Sequence, residues 1–293
     1  MMRARLVLIL FLFLAGIVAA QTVPASSDAE QQPRSYIYRE VDGQKLNAYV
    51  FPPQGENPGK PTAAVLCFHG GGWVAGSAEW TAKEAKRFAA LGLTAVTVDY
   101  RLSEGKITPI EALDDTRAAF RWLRRHAAEF NIDPKRVAGY GVSAGGQLVA
   151  AAATLDFPGD GIDDTSSKPD LLLLWSPALD VAADGWFVKL LQGRASAADY
   201  SPLGHAGAST PPTCIVNGDK DTLTSLSRAE RFHDRMIQAG GVCELYVYPG
   251  VGHLLTRNLA NQEDNFDPDP KFKADGIARL ERFLRERGYL SEK

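Results

Sequence analysis

Apolar residues in this chain gather into short, nearly continuous runs, and the stretches between them carry apolar positions at helical spacing. The runs are Ala63–Phe68, Thr94–Val98, Val137–Gly141, Leu171–Trp175, Thr213–Asn217 and Cys243–Tyr248. A strand that is apolar on both faces is buried on both faces, which is the habit of a parallel sheet. The intervening spacing predicts helices over Trp80–Leu91, from Pro109 to about Glu129, over Ala144–Leu155, over about Leu226–Ala239 and over Lys271–Arg287. The second of these has Thr108 as its cap and a stripe of Ile110, Leu113, Ala118, Trp122 and Leu123. Ser35–Val41 and Gln44–Phe51 flank Asp42-Gly43, a hairpin signal, and Pro52–Pro61 reads as a turn-rich loop. Strands alternating with helices predict an α/β fold with helices on both faces of the sheet. Right-handed crossovers then put every loop that follows a strand on one rim, where ligands bind in such sheets.

The first twenty residues depart from this pattern. Arg3 and Arg5 precede an apolar stretch, Leu6–Val18, and small residues Val18-Ala19-Ala20 stand before Gln21. That is a secretory signal layout, with a run too short to span a membrane comfortably. An uncleaved anchor is the competing reading. Cleavage after Ala20 predicts a secreted or periplasmic protein with no stable membrane association. Residues 21–34 are polar and Pro/Ser-rich and read as a disordered leader, so 35–293 is expected to be one domain.

A net charge of -3 and a pI near 6.0 give no basic footprint for nucleic acid. The three cysteines, Cys67, Cys214 and Cys243, lie inside strand-like runs and read as buried free thiols. No Cys/His spacing suits zinc, and no metal is expected.

The chemistry collects after the strands. Gly141-Val142-Ser143-Ala144-Gly145 sits between a strand and a helix, the context of a G-x-S-x-G nucleophile elbow. His69-Gly70-Gly71-Gly72-Trp73 follows an earlier strand and matches the HGGG element that aims backbone N–H groups at an oxyanion. Gly71, Gly72 and Ala144 are the candidate donors, and His69 reads as a structural residue bonding the loop backbone. Asn217–Leu223 follows the strand at 213–217, where an acid is needed; Asp221 is preferred over Asp219 in the same loop and over Asp180 after the preceding strand. Among five histidines, only His253 follows a strand at the right point in chain order to act as base. His126 and His233 read as surface residues, and His205 as a loop residue.

Taken together, His69–Trp73, Gly141–Gly146, Asp221 and His253 resemble the α/β-hydrolase superfamily. The HGGGW and GVSAGG pair is similar to the hormone-sensitive-lipase-like esterases and to bacterial acetylxylan and feruloyl esterase-like hydrolases. The resemblance covers roughly residues 35–288. It implies a central, mostly parallel eight-stranded sheet, no organic cofactor, and a triad of Ser143 as nucleophile, His253 as base and Asp221 as orienting acid. Two features depart from the lipase-like relatives: Val142 stands where they usually carry Asp, and 21–34 is too short and polar for their N-terminal cap. A short insertion at about 177–210 carries Trp186, Phe187, Leu190, Leu191 and Tyr200. Trp73 of the glycine loop and Trp186 and Phe187 of the insertion are the candidate substrate contacts; for the insertion residues the competing reading is packing of a short helix onto the sheet. Asp99-Tyr100-Arg101 reads as structural, with Asp99 bracing the rim.

The expected function is a secreted serine esterase acting on small-molecule or carbohydrate esters of acetyl or feruloyl type. Three other readings stand beside it: a serine peptidase of prolyl-oligopeptidase type, a non-catalytic binding protein on the same fold, and an arylformamide hydrolase. The first lacks a propeller before residue 60, the second predicts a broken triad, and export speaks against the third.

Overall fold

The computed structural model describes residues 32–55, 59–156 and 165–290. The apolar run at the N-terminus, its cleavage site and the leader up to residue 31 lie outside the described residues. The other runs pair into one sheet: β1 (Arg34–Val41), β2 (Gln44–Phe51), β3 (Thr62–Phe68), β4 (Thr94–Val98), β5 (Ile132–Val142), β6 (Leu171–Trp175), β7 (Thr213–Gly218) and β8 (Cys243–Tyr248). The strand order is β1-β2-β4-β3-β5-β6-β7-β8. β1 and β2 are antiparallel to their neighbours, and every other pair is parallel. Asp42 and Gly43 both adopt positive φ, 50° and 78°, the turn that matches strand twist in a two-residue hairpin. β1 begins at Arg34, one residue inside the predicted leader.

Residue alternation along β3 divides the core. Ala64, Leu66 and Phe68 face the layer formed by α2 (Pro109–Arg125), α3 (Ala144–Thr154) and α6 (Leu226–Gln238). Ala63, Val65 and Cys67 face α1 (Ala82–Ala90) and α7 (Pro270–Glu286). Both faces are buried, as the unbroken apolar runs require. Cys67, Cys214 and Cys243 are buried free thiols, and burial pushes Cys243 up to about 12. Cys214 pairs with Glu244 and Cys243 with Thr213, so these two thiols are diagonal rather than opposite.

Helix α2 shows how local sequence sets a boundary. The Thr108 hydroxyl accepts from Ile110 N–H, Glu111 Oε2 accepts from Thr108 N–H at 2.8 Å, and Pro109 occupies the first turn. The helix stops at Arg125, short of the predicted Glu129. His126 leaves helical geometry, and its Nδ1 donates back to Trp122 O at 2.8 Å. His126 is half-buried against Trp122 and Phe130 rather than a surface residue, because this corner is an aromatic cluster. The predicted helix from Trp80 likewise opens as a 3-10 turn, Ala78–Thr81, before α1.

The 177–210 segment folds into α4 (Gly185–Leu190), a 3-10 turn at Ala197–Tyr200 and α5 (Pro202–His205). Phe187, Leu191 and Leu203 bury into the α2/α3 side of the core. Arg194 ties the segment to α2 through Glu111 at 2.6 Å.

Candidate active site

Five loops converge on the rim: those after β3, β5, β6, β7 and β8. The loop after β5 is the tightest. Ser143 has φ 53° and ψ −115°, outside the regions an L-residue prefers. Surrounding contacts hold it there. Its N–H donates to Trp175 O at 3.0 Å, and its carbonyl accepts from Gln147 and Ala178, both at 3.2 Å. Gly145 leaves no room for a side chain: a Cβ there would stand 2.3 Å from Phe68 O and 2.4 Å from His69 O. The first turn of α3 is therefore pressed against the end of β3, which brings the serine beside the glycine-rich loop.

Ser143 Oγ lies 3.0 Å from His253 Nε2, and His253 Nδ1 lies 2.9 Å from Asp221 Oδ2. The histidine and the aspartate are almost fully buried. A carboxylate accepts only, so it fixes the proton on Nδ1 and leaves Nε2 as an acceptor for the serine hydroxyl. Asp221 is itself locked. Its Oδ1 accepts from Leu223 N–H at 3.0 Å and Thr224 N–H at 2.8 Å, and its Oδ2 accepts from the Thr224 hydroxyl at 2.8 Å. Asp219 and Asp180 are turned to other partners. Asp219 Oδ1 accepts from Gly250 N–H and braces the β8 loop, while Asp180 holds Ser201 and Arg231. A hydroxyl so aligned can lose its proton to the imidazole as its oxygen attacks an electrophilic carbon.

The loop after β3 packs directly on the serine. A Cβ on Gly70 would come within 3.2 Å of Ser143 Cβ. Gly71 has φ 108° and sits against Ala75 O, a conformation and a space open only to glycine. Gly71 O accepts from Val74 and Ala75 N–H, which closes the loop into a tight turn. Among the described residues the N–H groups of Gly71 and Gly72 donate to no protein acceptor, and Ala144, the first residue of α3, has no intrahelical acceptor for its own. His69 is buried and structural. Its ring stacks on Tyr100 with centroids 4.2 Å apart, and its Nδ1 donates to Gly70 O at 2.7 Å. Burial lowers its pKa below the usual imidazole range. Asp99 accepts from Ala78 N–H and Arg101 pairs with Asp115, the bracing role expected of that segment.

The three expected substrate contacts separate. Trp186 is 45% exposed and stands at the rim, its indole N–H donating to Gly72 O at 3.0 Å. Trp73 and Phe187 are instead buried, packed edge to face with centroids 4.9 Å apart. Both pack into the core beneath the rim rather than standing open at it. Trp73 Nε1 donates to Gln147 Oε1, and Gln147 Nε2 donates to Tyr200 O, so the 177–210 segment holds the glycine loop from both sides. Among the described residues no His, Cys, Asp and Glu cluster is arranged to hold a metal ion.

Several site residues carry no sequence signal. Thr224 follows no motif, yet its hydroxyl reaches Asp221 and lies 3.2 Å from His253 Nδ1. Ser176, with φ 44°, accepts Leu254 N–H on its hydroxyl. Gln262 lies in a polar loop between Thr256 and Pro270 and bonds to the backbone on either side of Asp221. Only contact across the rim identifies these residues.

Comparison with known proteins points the same way. A family model described as alpha/beta hydrolase fold matches residues 65–257. An ethyl acetate hydrolase of Pseudomonas putida is 29% identical over 243 residues, 74% of this chain and 73% of that protein. An acetylxylan esterase of Xylanibacter ruminicola is 26% identical over 263 residues; the match covers 83% of this chain but spans only 49% of the longer relative. Among solved structures, the propionate-bound esterase Est2 of Thermogutta terrifontis superposes with a TM-score of 0.79 at 27% identity, covering 90% of this chain and 98% of that one.

Proposed function

The chain belongs to the α/β-hydrolase fold family as a carboxylic ester hydrolase, and on that premise we propose that Ser143, His253 and Asp221 are its catalytic triad. The observation that carries this reading is the unbroken chain Ser143 Oγ–His253 Nε2 at 3.0 Å and His253 Nδ1–Asp221 Oδ2 at 2.9 Å. Ser143 Oγ attacks the ester carbonyl while His253 Nε2 takes its proton. Asp221 stabilises the imidazolium that forms. The carbonyl oxygen, now an anion, is received by the N–H groups of Gly71, Gly72 and Ala144. One such donor contributes roughly 3–4 kcal/mol to the transition state. Collapse expels the alcohol, which takes the proton from His253. Water, deprotonated by His253, then cleaves the acyl-enzyme and releases the acid.

The substrate we propose is a short-acyl ester, of acetyl or feruloyl type, borne on a sugar or another small alcohol, met outside the cytoplasm after signal cleavage. The named substrate of the Pseudomonas relative and the propionate held by Est2 favour a short acyl group. The rim favours a polar alcohol. Its exposed aromatics are Trp80 and Trp186 beside the glycine loop and Phe266 beside His253. Beside Trp80 opens a cleft of about 160 Å³ whose walls combine the aromatic rings of Trp80, Tyr140 and Trp175 with the charged Glu84, Arg87 and Lys273. Flat aromatic faces beside charges of both signs suit a neutral polyol better than a lipid chain.

The test is a panel of 4-nitrophenyl esters from acetate to laurate, acetylated xylo-oligosaccharides, methyl ferulate and a proline peptide. Acetate turnover with activity on the acetylated sugar supports the reading. Activity confined to laurate rejects the substrate class, and cleavage of the peptide alone rejects the esterase mechanism.

A further inference from the structure

Gln262 occupies a place that the reaction scheme above does not use. It is 5% exposed, and it lies in an irregular stretch between the rim and α7. Its carboxamide makes three hydrogen bonds, all to backbone. Oε1 accepts from His253 N–H at 2.8 Å and from Thr222 N–H at 3.2 Å, while Nε2 donates to Lys220 O at 2.9 Å. Lys220 and Thr222 flank Asp221. One side chain therefore clamps the backbone of the histidine to the backbone on both sides of the acid.

The clamp closes a ring. From Gln262 the path runs through His253 N, the imidazole, Asp221 Oδ2 and the Asp221 backbone, then back to Gln262. The approach is close enough to shape its neighbour: a Cβ on Gly252 would meet Gln262 Oε1 at 2.3 Å and Cδ at 2.4 Å. Gly252 thus leaves the space that the carboxamide fills. Among the described residues no other side chain bonds to the backbones of both the β7 and β8 loops through donor and acceptor at once.

We propose that Gln262 is a positioning residue of the proposed triad, setting the distance and angle between Asp221 and His253. It acts through its amide polarity, because Lys220 O needs a donor and His253 N–H needs an acceptor on the same group. The inference rests on the triad reading above. Displacing a catalytic group by about 1 Å can cost roughly 10²-fold in rate without weakening substrate binding.

The experiment uses the full chain with 4-nitrophenyl acetate, and every rate is divided by the sites titrated with an organophosphate. Gln262→Met keeps the volume and loses the polarity. It is expected to lower kcat per titrated site by about 10- to 100-fold, with KM changed less than two-fold. Gln262→Glu keeps the shape, places a second acceptor against Lys220 O and adds a charge near the imidazole. Its acid limb in the pH profile of kcat/KM is expected to move to higher pH, since a nearby negative charge favours the imidazolium. Both variants keeping wild-type kcat per site and the wild-type acid limb would overturn the proposal, and so would a loss explained wholly by fewer titrated sites. A wild type that itself lacks Ser143-dependent turnover would instead refute the triad reading.

Discussion

Asp221→Asn is the substitution whose outcome the structure constrains most tightly. The two oxygens of Asp221 have different partners. Oδ1 accepts two backbone N–H groups, from Leu223 and Thr224, while Oδ2 faces the Thr224 hydroxyl and His253 Nδ1. An asparagine has one oxygen and one NH2. The two fixed backbone donors claim the oxygen, so the NH2 must face His253. Nδ1 then has to accept, its proton moves to Nε2, and Nε2 can no longer take the proton of Ser143. The wrong tautomer typically lowers kcat by about 10⁴-fold. At 1.36 kcal/mol per tenfold, that is about 5.4 kcal/mol of lost transition-state stabilisation. Stability should change little, because the backbone bonds survive and the Thr224 hydroxyl can still donate to Ser176 O, 3.0 Å away. The assay is kcat on 4-nitrophenyl acetate at neutral pH, with thermal unfolding alongside. A loss smaller than tenfold in a folded variant would refute the tautomer argument.

Three further outcomes follow from local structure. Gly145→Ala should destabilise the fold by about 1–3 kcal/mol and impair turnover, since its Cβ would collide with Phe68 O and His69 O and push the glycine loop from Ser143; chemical denaturation and kcat measure both. Glu111, where burial is outweighed by hydrogen bonds from Arg194 and Thr108, is held at about 2 against its ordinary 4.5. A depressed carboxylate stabilises the fold above its unfolded pKa, so the stability gap between wild type and Glu111→Gln should be full above pH 4.5 and close as pH falls toward 2. A gap that widened on acidification would contradict this. Cys67, Cys214 and Cys243, with pKa values raised by burial, should resist a thiol reagent in the native protein at pH 8 and react on unfolding, read by absorbance.

Much of this molecule is written in periodicity that a reader can follow. Unbroken apolar runs could only be strands covered on both faces, and the four rim motifs stood in chain order behind them. The elbow was legible because Gly141, Gly145 and Ser143 answer a steric demand that few sequences meet. Less legible were residues whose role depends on what lies across the rim. Phe187 reads as well for a pocket wall as for a core residue, and only the packing of α4 decides that it is core. His126 looked exposed beside Arg124 and Arg125, but Tyr36, Trp122 and Phe130 come together there from β1, α2 and the turn after it. Gln262 had no pattern around it at all, because its partners lie forty residues away in the β7 loop as well as nearby at His253.

The most direct test of the account compares the wild-type protein with Ser143→Ala in hydrolysis of 4-nitrophenyl acetate. The account predicts turnover by the wild type and a fall of up to ~10⁶-fold in the variant, with the unfolding midpoint little changed. A folded Ser143→Ala variant that retained activity within tenfold of wild type would contradict it.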